Sequence, residues 1–155
     1  MGLNTFDLLS EAVKITPLMA SSGSAGGKVA NDYYPAAGSF LDTSGFRANM
    51  FLVDLRDLAD AIDVEVYQSM TSGSATAKAI TGAAKTNIVA TDDAKMLSIE
   101  VGTDQLDLTN GFRYLTLKVS GVSGADWVDL HALQFKAGYQ PVTQPAAYYA
   151  QVKVV

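Results

Sequence analysis

The 155-residue sequence contains no cysteine and a single histidine, and these shortages exclude several kinds of chemistry. Without cysteine, the chain cannot form a disulfide, a thiolate metal site or a cysteine nucleophile. Histidine is the commonest general base in enzymes, and His131 is the one candidate here. Catalysis of that type would therefore require His131 to face a cleft beside a serine and a carboxylate.

Positive charge is also scarce, because 11 Lys and Arg stand against 16 Asp and Glu, which gives a net charge of -5. Nucleic-acid-binding proteins usually carry a basic surface, so DNA and RNA are not expected partners. The apolar fraction is 48%, but no uninterrupted apolar run is long enough for a membrane span. The first 30 residues also lack a basic region followed by an apolar one, so no signal peptide is predicted. We expect one globular domain without a membrane partner.

Alternation of apolar and polar residues with period two predicts half-buried strands between residues 51 and 119. The apolar positions are Phe51, Val53 and Leu55; Ile62, Val64 and Val66; Leu97, Ile99 and Val101; and Leu115, Leu117 and Val119. Residues 127–137 predict a further strand whose apolar phase changes, so a β-bulge is expected near Ala132. The stretch 54–62 also has helical spacing, but a turn is favoured there. Residues 69–90, rich in Ser, Ala and Thr, are interpreted as a long connection.

These short strands, separated by turn-rich segments, predict an all-β fold: an antiparallel β-sandwich with jelly-roll topology preferred. The sandwich body is expected at residues 41–140. Residues 1–40 include the run SSGSAGGK and are interpreted as an N-terminal arm and flexible linker. Residues 141–155 carry prolines at positions 141 and 145, which central strands exclude, and are interpreted as a C-terminal arm or an edge strand.

Three groups of residues could in principle carry chemistry, and each has a simpler explanation. Asp129 lies two residues before His131 and could orient it, but no nucleophile motif accompanies the pair. The aspartates between residues 54 and 107 lack the spacing of a calcium loop. The glycines between residues 23 and 27 lack the P-loop sequence. We therefore predict no enzyme, no metal and no cofactor.

The segment 42–45 is interpreted as a turn, with a hydrogen bond from the Asp42 side chain to the backbone and a positive φ at Gly45. Aromatic pairs at Tyr33-Tyr34 and Tyr148-Tyr149, with Trp127, leave two interpretations open. They could form a stacking platform for a sugar, or they could pack against another protein chain.

The order of several motifs resembles one family. The motifs are Asp42-Thr43-Ser44-Gly45-Phe46, the strand 51–55, the segment 64–68 followed by a polar loop, Gly111-Phe112-Arg113-Tyr114-Leu115 with Lys118-Val119, and the segment 132–142. Over residues 40–142 the chain is similar to the small head-decoration (cement) and auxiliary virion proteins of tailed bacteriophages. That resemblance implies a β-sandwich or jelly roll, often trimeric, that sits on the outside of an expanded capsid and braces it. The 40-residue N-terminal extension departs from the family's short leaders.

The resemblance implies a non-enzymatic structural protein, made in the host cytoplasm and located on the outer head surface of a virion. Its partners would be the major capsid protein and further copies of itself, preferably in a trimer. Apolar arm residues would supply the contacts: Phe6, Leu8, Leu9, Val13, Tyr33, Tyr34, Tyr148, Tyr149, Val152 and Val154. Deleting residues 1–28 is then expected to leave a folded body that no longer attaches or trimerises. The alternative is a carbohydrate-binding module of a fibre or adhesin that uses Trp127 and the tyrosine pairs.

Overall fold

The computed structural model describes residues 13–19, 29–122 and 126–135. Nine strands lie within these ranges: β1 (Lys14–Pro17), β2 (Tyr33–Tyr34), β3 (Leu41–Asp42), β4 (Ala48–Asp57), β5 (Ile62–Ser69), β6 (Lys78–Ile88), β7 (Met96–Gly102), β8 (Tyr114–Ser120) and β9 (Trp127–Phe135). Single 3-10 turns occur at Ala90–Asp92, Thr103–Gln105 and Leu108–Asn110. In the part of the chain described, no helix has the length and apolarity to cross a bilayer.

The strands form two antiparallel sheets. The first sheet has the order β1-β9-β4-β7, and the second has the order β2-β8-β5-β6, with β3 also paired to β8. Because β2 and β3 pair with successive parts of β8, they act together as one interrupted strand. Strands therefore pair from the two ends of the described chain inward. β1 pairs with β9, β2 and β3 pair with β8, β4 pairs with β7, and β5 pairs with β6. This is the pairing of a jelly roll, and the predicted antiparallel sandwich is confirmed.

The inward residues of both sheets make one core. All four alternating segments are strands, and their predicted apolar phases point inward. Side chains with no more than 1% exposure include Phe51, Val53, Ile62, Val64, Val66, Leu115, Leu117, Val119, Val128 and Leu130. The stretch between β4 and β5 contains no helical turn, so the turn interpretation there is confirmed.

The predicted bulge near Ala132 is wrong. β9 pairs with β4 without interruption from Phe135 to Val128, and the irregularity falls instead on β4, between Leu55 and Asp57. Ala132 and Gln134 continue the inward phase, with Gln134 fully buried. The phase change inferred from Leu133 and Phe135 is absent because the core accepts a glutamine at 134, while both apolar neighbours point outward.

The interpretation of residues 69–90 as a connection is also wrong, because β6 occupies eleven of them. Its pattern does not alternate, since β6 is an edge strand with most side chains exposed and two register shifts against β5. Gly82 and Asn87 adopt positive φ values of 85° and 54° within it. Edge strands with such irregularities lack the one-sided burial that creates a period-two signal.

Two strands, β1 and β2, lie within residues 1–40, which the sequence analysis interprets as an N-terminal arm and linker. β1 pairs with β9 through four residues, and β2 pairs with β8. Val29 and Leu18 are buried with 2% and 6% exposure, so both belong to the core. The folded body therefore begins before residue 41, and residues 1–12, 20–28, 123–125 and 136–155 lie outside the described structure.

Candidate functional site

Two of the motifs that carry the family resemblance meet at one end of the sandwich. Thr43 donates two hydrogen bonds to the carbonyl oxygen of Arg113, from its backbone N–H at 3.0 Å and from its hydroxyl at 2.8 Å. The Arg113 guanidinium lies 3.1 Å from an Asp42 carboxylate oxygen and 2.9 Å from the Tyr114 hydroxyl. These two groups raise the pKa of Arg113, the hydrogen bond to Tyr114 being the larger cause.

The turn beside this junction forms as predicted. The Ser44 N–H donates to Oδ1 of Asp42 at 2.9 Å, and Gly45 has a φ of 88°. Glycine tolerates that backbone conformation because it has no Cβ. The first and fourth motifs therefore build one rigid corner between β3, β4 and β8, and their residues have a structural role there.

The outer face of the first sheet carries a group of apolar side chains, which we call the apolar face: Ile15, Met50, Leu52, Leu133 and Phe135. Leu133 on β9 lies between Ile15 of β1 and Met50 of β4 in one row across three strands. All five side chains are half-buried and point away from the core. Outward positions of an antiparallel sandwich are usually polar, so an apolar row at the centre of this sheet is typical of a contact surface.

Charged residues border the apolar face. Arg56 forms ion pairs with Asp129 on the neighbouring strand and with Asp54, the latter at 3.6 Å. On the other side, Glu100 of β7 lies opposite Met50. An apolar centre with a charged border is the usual arrangement of a protein–protein interface.

His131 lies within this face and not in a cleft. Its cross-strand neighbours are Pro17 of β1 and Leu52 of β4, neither of which is a nucleophile. Asp129, the residue expected to orient it, forms an ion pair with Arg56. His131 therefore lies on the outer face of the first sheet beside the apolar face, and its described cross-strand neighbours do not form a catalytic triad with it.

The outer face of the second sheet carries an aromatic cluster. The Tyr33 ring lies 5.5 Å from the Phe40 ring and 5.5 Å from the Tyr67 ring, the latter edge-on. The Lys118 ammonium lies 5.7 Å from the Tyr33 centroid and 5.3 Å from that of Tyr67. Tyr67 also donates a 3.4 Å hydrogen bond to Glu65. Because Lys118 occupies the ring faces and the two tyrosines are perpendicular, the cluster offers no flat stack for a sugar.

The aromatic residues proposed as a sugar platform do not share a surface in the described structure. Tyr33 faces outward from the second sheet, whereas Trp127 faces outward from the first. Tyr34 points into the sandwich, where its hydroxyl accepts a 2.8 Å hydrogen bond from the Ala30 N–H. Burial raises the pKa of Tyr34. Tyr148 and Tyr149 lie outside the described residues.

Of the expected contact residues, the structure describes three. Val13 is 3% exposed and packs inside its own chain, whereas Tyr33 and Tyr34 are half-buried in β2. The other seven lie outside the described residues: Phe6, Leu8, Leu9, Tyr148, Tyr149, Val152 and Val154.

Two of the aspartates considered as calcium ligands, Asp92 and Asp107, accept hydrogen bonds from lysine side chains and from neighbouring residues instead. Asp107 accepts hydrogen bonds from Lys78 at 2.7 Å and from Asn110, and these partners lower its pKa. Lys95 lies 2.8 Å from Asp92 and lowers the pKa of that carboxyl in the same way. Within residues 13–19, 29–122 and 126–135, no group of three or more acidic or histidine side chains could hold a metal ion.

The sequence reasoning missed the apolar face. Leu52 alternates with the inward positions Phe51 and Val53, which predicts that it lies on the solvent-exposed side of its strand, and Leu133 contributes to the apolar phase change that predicts a bulge. The available signal was the apolar character of both phases in residues 50–53, together with the apolar residues Leu133 and Phe135 in the second phase of β9. Such two-sided apolar strands indicate that both sheet faces are covered.

No family model matches this chain, and no curated protein is detectably similar to it.

Proposed function

We propose that this protein is a non-enzymatic structural protein of a tailed-phage virion that binds the outer capsid surface and stabilises the head lattice. In this proposal, the partners are the major capsid protein and other copies of the chain, with a trimer as the preferred assembly. The protein would be made in the host cytoplasm and would end on the outer head surface.

The observation that carries the proposal is the apolar face of the first sheet. Five half-buried apolar side chains point outward from three adjacent strands of one sheet and are bordered by Arg56, Asp129 and Glu100. A bracing protein needs a rigid body with a broad contact surface, and it needs no titrating group in a pocket. A jelly-roll sandwich with one apolar outer face meets that requirement.

The rigid corner at Asp42 and Arg113 gives further support. Two motifs of the resemblance lie about 70 residues apart in sequence yet share three polar contacts at one end of the sandwich. The residues that carry the resemblance are therefore neighbours in the folded chain.

The test begins with purified particles of the phage that carries the coding sequence. Peptide mass spectrometry should detect the protein in the particles, and a cryo-electron density map should show a jelly-roll density outside the capsid shell. Particles that contain none of the protein would disprove the virion role.

A substitution then tests the contact surface. Leu52→Lys places a charge at the centre of the apolar face and should weaken attachment to heads that lack the protein by at least about tenfold, because the ammonium loses water without gaining a partner. Ser120→Lys is the matched control, since Ser120 is also outward and half-buried but lies on the second sheet opposite Asp63. Equal attachment of the two variants, with both folded by circular dichroism, would show that the first sheet does not contact the shell.

A further inference from the structure

Within the described residues, the two sheets end at four edges, and three of these edges carry features that hinder pairing with another chain. In β1, Pro17 offers no backbone N–H and Lys14 carries a charge. β2 and β3, which share one edge, are two residues long each, and Pro35 lies between them. β6 carries Lys78 and Lys85, and it also has two register shifts against β5 and two residues with positive φ. Proline, lysine, short length and irregular backbone are the usual protection of exposed sheet edges.

The remaining edge, β7, lacks all of these protections. It pairs with β4 over seven consecutive residues, Met96–Gly102, without a register shift. The strand contains no proline and no lysine, and its single charge is on Glu100. Met96, at the start of the strand, is 66% exposed. In the part of the chain that the structure describes, no strand pairs with the other side of β7, so this edge can accept a further strand.

The hydrogen bonds to β4 show which groups of β7 face the free edge. The Thr103 N–H donates to the Arg47 carbonyl oxygen at 3.0 Å, and the Lys95 carbonyl oxygen accepts from the Leu55 N–H at 2.9 Å. Successive residues of a strand direct their backbone groups to opposite sides, so the odd-numbered residues of β7 face β4. Three even-numbered residues then present N–H and C=O groups to the free edge: Met96, Ser98 and Glu100.

This free edge is complementary to itself in one antiparallel register. When Ser98 of one copy lies opposite Ser98 of another, Met96 lies opposite Glu100, and all three free residues form ladder pairs. The two Glu100 carboxylates are then separated by four residues along the strands, about 14 Å, which exceeds the screening length of about 8 Å at physiological salt.

The neighbouring registers are less favourable. A register centred on Ile99 brings the two Glu100 carboxylates to roughly 8 Å. It also places Met96 opposite Gly102, whose N–H already donates to Oε1 of Gln105 at 2.8 Å. A register centred one residue before Ser98 leaves Glu100 beyond the end of the opposing strand. The charge pattern and the free backbone groups therefore select the register centred on Ser98.

The same register covers the inward side chains at this edge. Leu97 and Ile99 are half-buried, whereas Val53 and Phe51, their partners on β4, are fully buried. Both half-buried side chains line an open groove of about 790 Å³ between β7 and β6. In the register centred on Ser98, Leu97 of each copy lies opposite Ile99 of the other. Directly opposite side chains have Cβ atoms about 4.5–5.5 Å apart, so these aliphatic pairs stabilise the contact.

We propose that two copies of this chain pair through the free edge of β7, antiparallel and centred on Ser98, and join their four-stranded first sheets into one continuous sheet. About six backbone hydrogen bonds form across the two-fold axis, two for each opposed pair of free residues. Such a contact uses the same patch on both copies and closes at two. The inference goes beyond the proposed virion function, since it uses the edge of the first sheet and not its apolar face.

A single cysteine in the full chain tests the pairing, and the absence of native cysteine leaves no competing thiol. Ser98→Cys places two thiols directly opposite each other, with Cα atoms about 5.5 Å apart, inside the range of about 4.4–6.8 Å that a disulfide requires. Mild oxidation should convert this variant to a linked dimer on a non-reducing gel. Ser120→Cys, on the outer face of the second sheet, is the control and should stay a monomer band. Equal linking of the two variants would overturn the proposal.

Two further cysteine variants test the register. In Met96→Cys or Glu100→Cys alone, the two thiols lie about 14 Å apart across the contact, so neither variant should link to itself. A mixture of the two should give a linked heterodimer, because residue 96 of one copy lies opposite residue 100 of the other. If either variant links alone as readily as Ser98→Cys, or if the mixture does not link, the register centred on Ser98 is wrong.

Sedimentation velocity on the full chain measures the contact without a disulfide. Ser98→Lys places two ammonium groups directly opposite each other and should raise the dissociation constant of the dimer at least about tenfold. Ser98→Thr, which is neutral, should change it by less than about twofold. Circular dichroism checks that both variants are folded. Equal association of the two variants, or an unaltered protein without this dimer at about 0.1 mM, would overturn the proposal.

Hydrogen exchange supplies an independent readout. The amides of Met96, Ser98 and Glu100 should be protected at high protein concentration and exchange faster on dilution, whereas amides of β5, a central strand, should stay protected at both concentrations. Protection of the three β7 amides that does not depend on concentration would show that the edge is covered within one chain, and the proposed contact would then be wrong.

Discussion

Gln134 on β9 and Asn49 on β4 are directly paired and form a hydrogen bond inside the core, with Nε2 of Gln134 3.1 Å from Oδ1 of Asn49. Both side chains are 1% exposed or less. Nε2 of Gln134 also donates to the carbonyl oxygen of Asp42 at 3.0 Å, and Nδ2 of Asn49 donates to Thr103 at 3.2 Å. This polar pair links the first sheet to the corner formed by residues 42–45 and Arg113.

The first prediction concerns that pair. Gln134→Met keeps the length of the side chain but removes the donor, so two buried acceptors lose their partner and the free energy of unfolding should fall by about 1–3 kcal/mol. Urea unfolding measures the change.

The double variant Gln134→Met with Asn49→Leu serves as the comparison. Removal of both polar groups should cost less than the sum of the two single changes, because no half-satisfied pair remains. Additive costs would show that the two side chains do not interact.

The second prediction concerns Gly121, which follows β8 with a φ of 85°. A Cβ at this position would lie 2.5 Å from the carbonyl oxygen of Ala61. Because that oxygen belongs to the backbone, relieving the clash requires the main chain itself to shift. Gly121→Ala should therefore destabilise the protein by more than the ~1–3 kcal/mol expected from a positive φ alone.

Gly82 provides the matched control. It has the same φ of 85°, but a Cβ there would meet nothing within 4 Å. Gly82→Ala should cost only the backbone strain, so its denaturation midpoint should lie between those of the unaltered protein and Gly121→Ala. Equal midpoints for the two variants would contradict the steric explanation.

The third prediction concerns acid pH. The hydrogen bond from Lys78 and those from Asn110 hold the pKa of Asp107 below the ordinary value of 3.8. A depressed folded-state pKa gives a stabilisation that is present above the unfolded-state pKa and is lost as the pH falls through the folded-state pKa. Unfolding midpoints measured at about pH 6 and about pH 3 should therefore differ less in Lys78→Met than in the unaltered protein.

Lys14→Met is the control for that experiment. The Lys14 ammonium lies 6.0 Å from the centroid of the Phe46 ring, and no carboxylate ion pair involves it in the described structure. Its removal should leave the acid dependence unchanged. An equal loss of acid dependence in both lysine variants would show that general charge, and not the Asp107 contact, is responsible.

The fourth prediction concerns the N-terminal segment and revises an expectation from the sequence. Deleting residues 1–28 would remove β1 together with Val13 and Leu18, which are 3% and 6% exposed. Each lost apolar side chain should cost about 1.5–3 kcal/mol, so this deletion should lower the thermal midpoint.

Deletion of residues 1–12 keeps β1 and provides the cleaner test of an arm that contacts other chains. This shorter variant should retain the thermal midpoint, and the proposed function predicts reduced oligomerisation in sedimentation velocity. If the shorter deletion assembles as the full chain does, residues 1–12 do not contribute to oligomer contacts.

The sequence by itself determined the fold class and most of the core. Phe51, Val64, Leu117 and their alternating neighbours point inward because a strand with one wet face must place every second side chain in the core. The turn at Asp42 and Gly45 was also predictable, since a short polar side chain and a glycine favour it locally.

Only the tertiary structure decided which strands lie at the sheet edges. It also decided which residues lie beside the side chains that do not follow the apolar alternation. β6 has no alternating pattern because most of its side chains are exposed and only Ala83 and Ile88 are buried, so its pairing with β5 is what makes it a strand. Gln134 is buried because Asn49 and Asp42 offer it partners. Leu133 and Met50 become one surface only when β9 lies beside β4. Contacts between residues about 80 positions apart cannot be predicted from local periodicity. The alternation of apolar and polar residues shows whether a side chain is buried, but it does not show which residue buries it.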